Sequence, residues 1–385
     1  MAAAPDLPFP REEYEARLAA TRARMGAAGL DVLVATSPEN LYYLAGYESA
    51  GYFAVQALLV GLEAAPVLVT RRLEVPNATA TFVYDRCVSY RDHEDPIEVI
   101  AREVTALALE RARVGVERRS RFLPVASLDR LRACLPHAAF ADSSGVVETV
   151  RLRKSRRELA YIRAAARIVD RAMTECLAAI RPGRRENEAA AEIYRTSLLA
   201  GSEYSGTPPF VASGPRSARP HTTWSDRVIE RGDPVFVEIS ACVRRYYAVL
   251  MRTAVAAPVS ETLRAMHAAS RAGLEAALAA LRPGVTSAEV DRACREAIRH
   301  AGWGDCFHLR SGYSMGMGFE GFGEGHVLSL REGDPTPIET GMVLHLVPFL
   351  LIDGEAGVAV SETVVVTETG AEPLCAVPRA LVVGV

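Results

Sequence analysis

Two alanine-rich helical segments, each ended by the same Arg-Pro-Gly tripeptide about a hundred residues apart, constrain this chain more than any other feature. The first, KSRRELAYIRAAARIVDRAMTECLAAI from Lys154, stops at Arg181-Pro182-Gly183, and the second, ETLRAMHAASRAGLEAALAAL, stops at Arg282-Pro283-Gly284. Proline cannot continue a helix and glycine takes the left-handed turn that follows one, so both stops are sharp. Each is followed five residues on by a glutamate, Glu188 or Glu289, and then by another alanine-rich helix ending near a glycine. This is a weak internal repeat of a helix–turn–helix–strand unit. Duplication of such a unit implies two pseudo-symmetric halves with a site between them.

The N-terminal stretch has a different texture. Glu12 to Met25 carries charge on one face and Leu18, Ala19 and Met25 on another, which predicts an amphipathic helix closed at Gly26 and Gly29. Strands are predicted at Asp31-Val-Leu-Val-Ala, Gln56-Ala-Leu-Leu-Val, Ala65-Pro-Val-Leu-Val and Arg113-Val-Gly-Val-Glu, with a helix from Ile97 to Arg113. Alternating strands and helices point to an α/β domain over residues 1–150, ahead of an α+β domain with the internal repeat over 151–385. A chain of 385 residues exceeds what one core sustains, and 49% hydrophobic residues is enough for two.

Several function classes are disfavoured by composition. The 44 basic and 47 acidic residues nearly cancel and are interspersed, leaving no footprint for nucleic acid or an anionic membrane. The N-terminus lacks the apolar core of a secretory signal, and no run of about 18 apolar residues suggests a transmembrane helix. The expectation is a cytoplasmic protein. Seven scattered cysteines without a CxxC pair fit reduced thiols. Neither a GxxxxGK[ST] loop nor a GxGxxG turn in a βαβ unit is present, and no cofactor is expected.

A handful of residues suit chemistry. In the strand Val235-Phe-Val-Glu-Ile-Ser, alternation sends Phe236, Glu238 and Ser240 to one face. A carboxylate among apolar neighbours needs a partner or its pKa rises, unless the strand is an edge that leaves Glu238 in solvent. Glu362, in VAVSETVVV, repeats the pattern on a late strand. His221 lies in the loop SGPRSARPHTTW, and an imidazole, with an ordinary pKa of about 6.5, exchanges protons near neutrality. Most histidines do no chemistry, so on its own residue type His221 reads first as an ordinary surface or core residue. Arg245, Tyr246 and Tyr247 follow a predicted hairpin turn at Ala241 to Arg244. Tyr247 and Tyr313 are pocket walls or packed interior residues, and Glu324 and His345 are polar residues in glycine-rich or apolar surroundings.

The stretches VFVEISACVRRYYAVLMRT, RSGYSMGMG and GMVLHLVPFL…VSETVVVTETG resemble the creatinase, prolidase and aminopeptidase P family, which has the pita-bread fold. FPREEYEARL…GLDVLVATSPENLYYLAGY is similar to that family's N-terminal domain. Metallopeptidases of the family hold two metal ions with two Asp, one His and two Glu. The resemblance puts those positions on Glu238, Val249, Tyr313, Val347 and Glu362, of which only two could bind a metal. It therefore implies a metal-independent member, akin to creatinase and the ectoine hydrolases. It also implies that His221 is the acid/base, that Glu238 and Glu362 share one cavity, and that Tyr247 and Tyr313 contact substrate.

Departures from the pattern are informative. The two arginines with which creatinase grips a carboxylate fall near Val55 and on Glu324, and its second catalytic glutamate falls on Met251, which argues against creatine and inverts the charge preference. Ectoine hydrolases are similar through HTTW, GEGHVLSLREGD, VTETGAEPLC and YFAVQALLV. Their Pro-Pro-Asp-Trp-Gly-Glu type of loop is replaced by Phe319-Glu320-Gly321-Phe322-Gly323-Glu324. The implied activity is hydrolysis of a C–N bond in a small amidine, ureide or cyclic amide. The alternatives are a ring-opening, cyclising or eliminating enzyme, a non-catalytic binding module, or an Xaa-Pro metallopeptidase. The resemblance also implies a homodimer, with Tyr52, Phe53 and Gln56 approaching the partner's pocket.

Overall fold

The structure is a computed structural model and describes residues 7–107, 111–321, 324 and 327–384. The boundary between two compact units falls between Arg151 and Leu152.

The first unit runs α1 (Arg11–Ala27), β1 (Val32–Ala35), α2 (Pro38–Ala45), β2 (Ala57–Gly61), β3 (Val67–Arg71), α3 (Val75–Thr81), β4 (Arg86–Tyr90), α4 (Pro96–Ala106), β5 (Arg113–Val116), α5 (Val125–Cys134), β6 (Ala139–Asp142) and α6 (Glu148–Arg151). Its sheet has the order β4-β3-β2-β1-β5-β6 and is parallel except where β2 meets β1 and β3. The central strands are apolar on both faces, as a covered sheet requires, and pack on α4 and α5. The helix predicted to run to Arg113 ends at Ala106, and residues 108–110 lie outside the described ones. Arg113 belongs instead to β5, where its N–H donates to the Asp31 carboxylate at 2.8 Å. Tertiary pairing overrides the helical propensity of that stretch.

The second unit runs α7 (Arg156–Ala179), α8 (Glu186–Leu199), β7 (Phe210–Ser213), β8 (Pro234–Val243), β9 (Tyr246–Ala256), α9 (Glu261–Ala280), α10 (Ser287–His300), β10 (Gly312–Ser314), β11 (Ser329–Leu330), β12 (Val343–Leu346), β13 (Phe349–Ile352), β14 (Ala356–Ala359), β15 (Glu362–Val366), β16 (Ala371–Pro373) and β17 (Val382–Gly384). One sheet has the order β17-β9-β8-β7, another β11-β10-β12-β15-β16, and β13 and β14 form a hairpin. α7 and α8 cover one face of the first sheet, and α9 and α10 cover one face of the second. The opposite face of the first sheet and the β13–β14 hairpin, with Val347, contribute a third apolar cluster of Phe210, Phe236, Met251, Val347, Phe349, Leu351 and Ala359.

The repeat is carried down to single hydrogen bonds. Gly183 and Gly284 have φ of 88° and 89°, and each donates its N–H at 2.9 Å to an isoleucine carbonyl, of Ile229 and Ile338. Glu188 accepts the Arg185 N–H at 2.7 Å and Glu289 the Thr286 N–H at 2.7 Å, so both repeated glutamates close the first turn of a helix. Among the described residues no helix is long and apolar enough to cross a membrane.

β8 extends three residues past the predicted strand, and the turn is Arg244-Arg245 rather than Ala241 to Arg244. Both arginines have positive φ, 48° and 63°, as a tight hairpin of this hand demands. The Glu203 carboxylate offsets the strain by accepting both turn N–H groups, at 2.8 and 3.0 Å.

Candidate active site

Strand alternation decides which side chains reach the cleft between the two sheets of the second unit. Glu238 pairs in register with Phe210 on one side and Met251 on the other, and Ser240 pairs with Val249, so these side chains share a face. On the second sheet Tyr313, His345 and Thr363 lie in one row across β10, β12 and β15. The two sheets are joined across this face. Thr363 Oγ1 accepts from Val249 N at 3.0 Å and donates to Val249 O at 2.8 Å, while Ser361 Oγ accepts from Met251 N at 2.7 Å.

Glu238 is the chemical anomaly of the cleft. The residue is 5% exposed, and among the described residues its carboxyl makes no hydrogen bond or ion pair. Burial pushes its pKa up to about 8, so the group is held mostly protonated at neutral pH. The edge-strand alternative is thereby set aside, since β8 lies between β7 and β9. Tyr313 is close enough for the charge of Glu238 to add to burial in raising the phenol well above its ordinary range.

His221 is exposed, at φ 57°, in the left-handed region that non-glycine residues seldom occupy. Its ring stands edge-on to Phe210 with centroids 5.7 Å apart, and Phe210 is the cross-strand neighbour of Glu238. The loop is pinned at both ends by one side chain. Glu186, at the start of α8, accepts from Ser213 N and Oγ at 2.7 and 2.8 Å and from Ser225 N and Oγ at 2.8 and 2.6 Å. Burial raises the Glu186 pKa, and these bonds more than reverse it, leaving it below the ordinary value.

Other predicted residues are placed differently from expectation. Glu362 does not share the cavity of Glu238: it pairs with Leu346 in the helix-covered core, and one oxygen meets Arg252 at 2.9 Å and Arg379 at 3.0 Å. Burial pushes its pKa up while both guanidiniums pull it down, burial prevailing. The cleft-facing residue is its neighbour, Ser361, because alternation reverses face at each step. Glu324 is likewise committed, to the buried Lys154 at 3.0 Å, so its charge is neutralised and does not invert the preference of the pocket. Arg245 is fully buried and donates to Gly318 O, Tyr204 O and the Tyr247 hydroxyl, under the ring of Tyr204 at 3.9 Å. Tyr247 also accepts from Gly206 N at 3.2 Å. These two residues hold the segments around Gly206 and Gly318.

In the first unit Phe53 is 82% exposed on a turn, whereas Gln56 is buried ahead of β2. Of the replaced loop, Phe322 and Gly323 lie outside the described residues. Sequence reading missed Ser361, Glu186, Lys154, Arg252 and Arg379. Period-two alternation from the buried Val360 and Val364 would have found Ser361; the others needed long-range contacts.

The five positions occupied by metal ligands in the peptidases can now be tested against this cleft. Four of them hold Glu238, Val249, the Tyr313 phenol and Val347 at the cleft; the fifth, Glu362, is turned to its two arginines, and the Ser361 hydroxyl faces the cleft in its place. Among the described residues no group of three or more His, Cys, Asp or Glu is placed to hold a metal ion. One carboxyl and two neutral hydroxyls do not fit a divalent pair.

Residues 160–368 match the model of metallopeptidase family M24, and residues 17–153 match that of the creatinase/prolidase N-terminal domain. The chain is 32% identical to the ectoine hydrolase of Halomonas elongata, with 98% of each chain covered. It is 31% identical to the Xaa-Pro dipeptidase of Pyrococcus furiosus over 63% of this chain and 68% of that one. The crystal structure of dipeptidase PepE from Mycobacterium ulcerans is similar, with a TM-score of 0.87 at 29% identity over 97% of this chain and 99% of that one. A two-unit architecture, a bond-for-bond repeat and a whole-length match together mean that this chain belongs to metallopeptidase family M24, with the creatinase/prolidase N-terminal domain before it.

Proposed function

We propose that the protein hydrolyses a C–N bond of a small amidine, ureide or cyclic amide without a metal ion. The observation that carries this reading is Glu238, a buried carboxyl with no counter-charge among the described residues, in a cleft lined also by Val249, Tyr313, Val347 and Ser361. A nitrogen-rich cation entering the cleft supplies the missing partner: its N–H groups donate hydrogen bonds to Glu238 and hold the carboxylate ionised. Glu238 does this alone, since Glu362 is bound to two arginines. Similarity to an ectoine hydrolase over the whole chain supports the same chemical class.

In the proposed reaction His221 takes a proton from water as the water oxygen bonds to the central carbon. The C–N bond then breaks, and the imidazolium returns that proton to the leaving nitrogen. Such acid–base transfer contributes roughly 100- to 10,000-fold. Replacing His221→Ala is therefore expected to remove turnover of ectoine or a small amidine while circular dichroism stays unchanged. Full activity in that variant would reject the role.

Relatives named Xaa-Pro dipeptidases support a second reading, peptide cleavage with bound metal. Elemental analysis of the purified protein, beside Xaa-Pro dipeptide assays with and without chelator, separates the two. The reading also includes a homodimer with the exposed Phe53 reaching the partner subunit; sedimentation of the wild type and of Phe53→Ser tests it.

A further inference from the structure

We infer that Tyr313, His345 and Ser361 form a hydrogen-bond chain of fixed polarity that leaves the Tyr313 hydroxyl proton pointing into the cleft as a standing donor. His345 lies between the other two, with Nδ1 2.9 Å from the Tyr313 hydroxyl and Nε2 2.8 Å from Ser361 Oγ. Its ring is fully buried, and burial lowers its pKa to about 3, so it carries a single N–H. Two arrangements are then open. In one, Tyr313 donates to Nδ1 and Nε2–H donates to Ser361. In the other, Ser361 donates to Nε2 and Nδ1–H donates to Tyr313.

The backbone decides between them. Met251 N already donates to Ser361 Oγ at 2.7 Å. If Nε2–H donated there as well, the serine proton would need another acceptor, and among the described residues Ser361 Oγ has none. Ser361 is fully buried whereas Tyr313 is partly exposed, so an unused hydroxyl proton costs more on the serine, and Ser361 gives its proton to Nε2. The imidazole proton is therefore on Nδ1 and is spent on the Tyr313 oxygen. That leaves the phenolic O–H free to point at the cleft, beside Glu238, and strengthened as a donor by the bond its oxygen accepts.

The inference rests on the proposed hydrolysis for what it serves. Attack of water on an amidine, ureide or amide carbon builds negative charge on the oxygen or nitrogen bonded to it. A donor fixed in advance stabilises that atom without reorganising. Tyr313 is the group that touches the reacting atoms. His345 and Ser361 are positioning residues, which act by keeping the phenol from turning its proton inward.

The test does not need turnover for its first arm. In the 15N NMR spectrum of the free wild-type protein, His345 is expected as the neutral Nδ1–H tautomer, and as the same tautomer in Tyr313→Phe, because Ser361 still donates to Nε2. Protonation at Nε2 in the wild type would overturn the polarity, whatever the substrate proves to be. The second arm follows ectoine hydrolysis. Tyr313→Phe is expected to lower kcat by roughly 100-fold with KM little changed. Ser361→Ala should lower kcat in the same direction and yield mixed His345 tautomers, with Ser361→Thr restoring both. Unchanged kcat in Tyr313→Phe would overturn the donor role. Full turnover in His221→Ala beside an Nδ1–H tautomer would reject the proton-transfer assignment and leave the chain intact.

Discussion

A carboxyl that burial holds protonated ties the cleft to pH in two ways. The Glu238 pKa is about 8 in the folded protein against a reference of 4.5, so between those values the unfolded chain is ionised while the folded one keeps its proton. Folding stability is then greatest below the lower value and is lost progressively as pH rises towards the upper one. Glu238→Gln removes the loss. Its melting temperature is expected to exceed that of the wild type by a few degrees at pH 8.5, with the gap closing towards pH 5. Thermal melts at the two values check this, and a variant less stable at both would contradict the environment described for Glu238. Binding of an amidinium should likewise expel about one proton near pH 7, measurable by calorimetry in buffers of different ionisation enthalpy. Burial raises the Glu362 pKa too, but substitution there acts the other way: Glu362→Gln removes the counter-charge of Arg252 and Arg379 and is expected to destabilise the fold by about 3 to 5 kcal/mol in denaturant unfolding. A stability near that of the wild type would mean the carboxylate is dispensable there.

At the scale of elements, the sequence revealed those features that are local. The helices stopped by Arg-Pro-Gly, the glutamates that close α8 and α10, and the alternation along β8 are periodic or punctuated signals within one stretch of chain. The face of Glu362 was legible in principle, one step from Val360 and Val364, yet a family pattern shifted by one residue sends every side chain to the wrong side. The end of α4, the partner of Glu324 and the anchor of the His221 loop were not legible, because Asp31, Lys154 and Glu186 act on residues far away in sequence. Glu186 joins both ends of that loop, so Glu186→Ala is expected to lower kcat roughly tenfold or more by misplacing His221, with a smaller effect on KM. Kinetics on a folded variant test it; an unchanged kcat would mean that the loop is held by other contacts.

At the scale of the whole molecule, the fold is that of the peptidases, while among the described residues no group of three or more His, Cys, Asp or Glu is placed to hold a metal ion, and a likeness of fold leaves the chemistry to the site. Titration with Zn²⁺, Mn²⁺ or Co²⁺ is expected to leave the melting temperature within about one degree, whereas binding at a hundred times its Kd would stabilise by about 2.7 kcal/mol. A rise of several degrees that vanishes with chelator would overturn the reading of the five positions.

Those same positions set how hard the cleft is to convert. Val249→Asp alone would set a second acid on the face of Glu238 with no cation to share. Tyr313→His or Ser361→Glu would break the chain through His345, and Val347→Glu would put charge into the apolar cluster around Phe236 and Phe349. Every single step towards a binuclear centre is thus downhill in stability before any ion can repay it, and only a concerted jump would cross. On the proposed metal-independent reading, the packing of the cleft itself opposes a stepwise return to a binuclear centre.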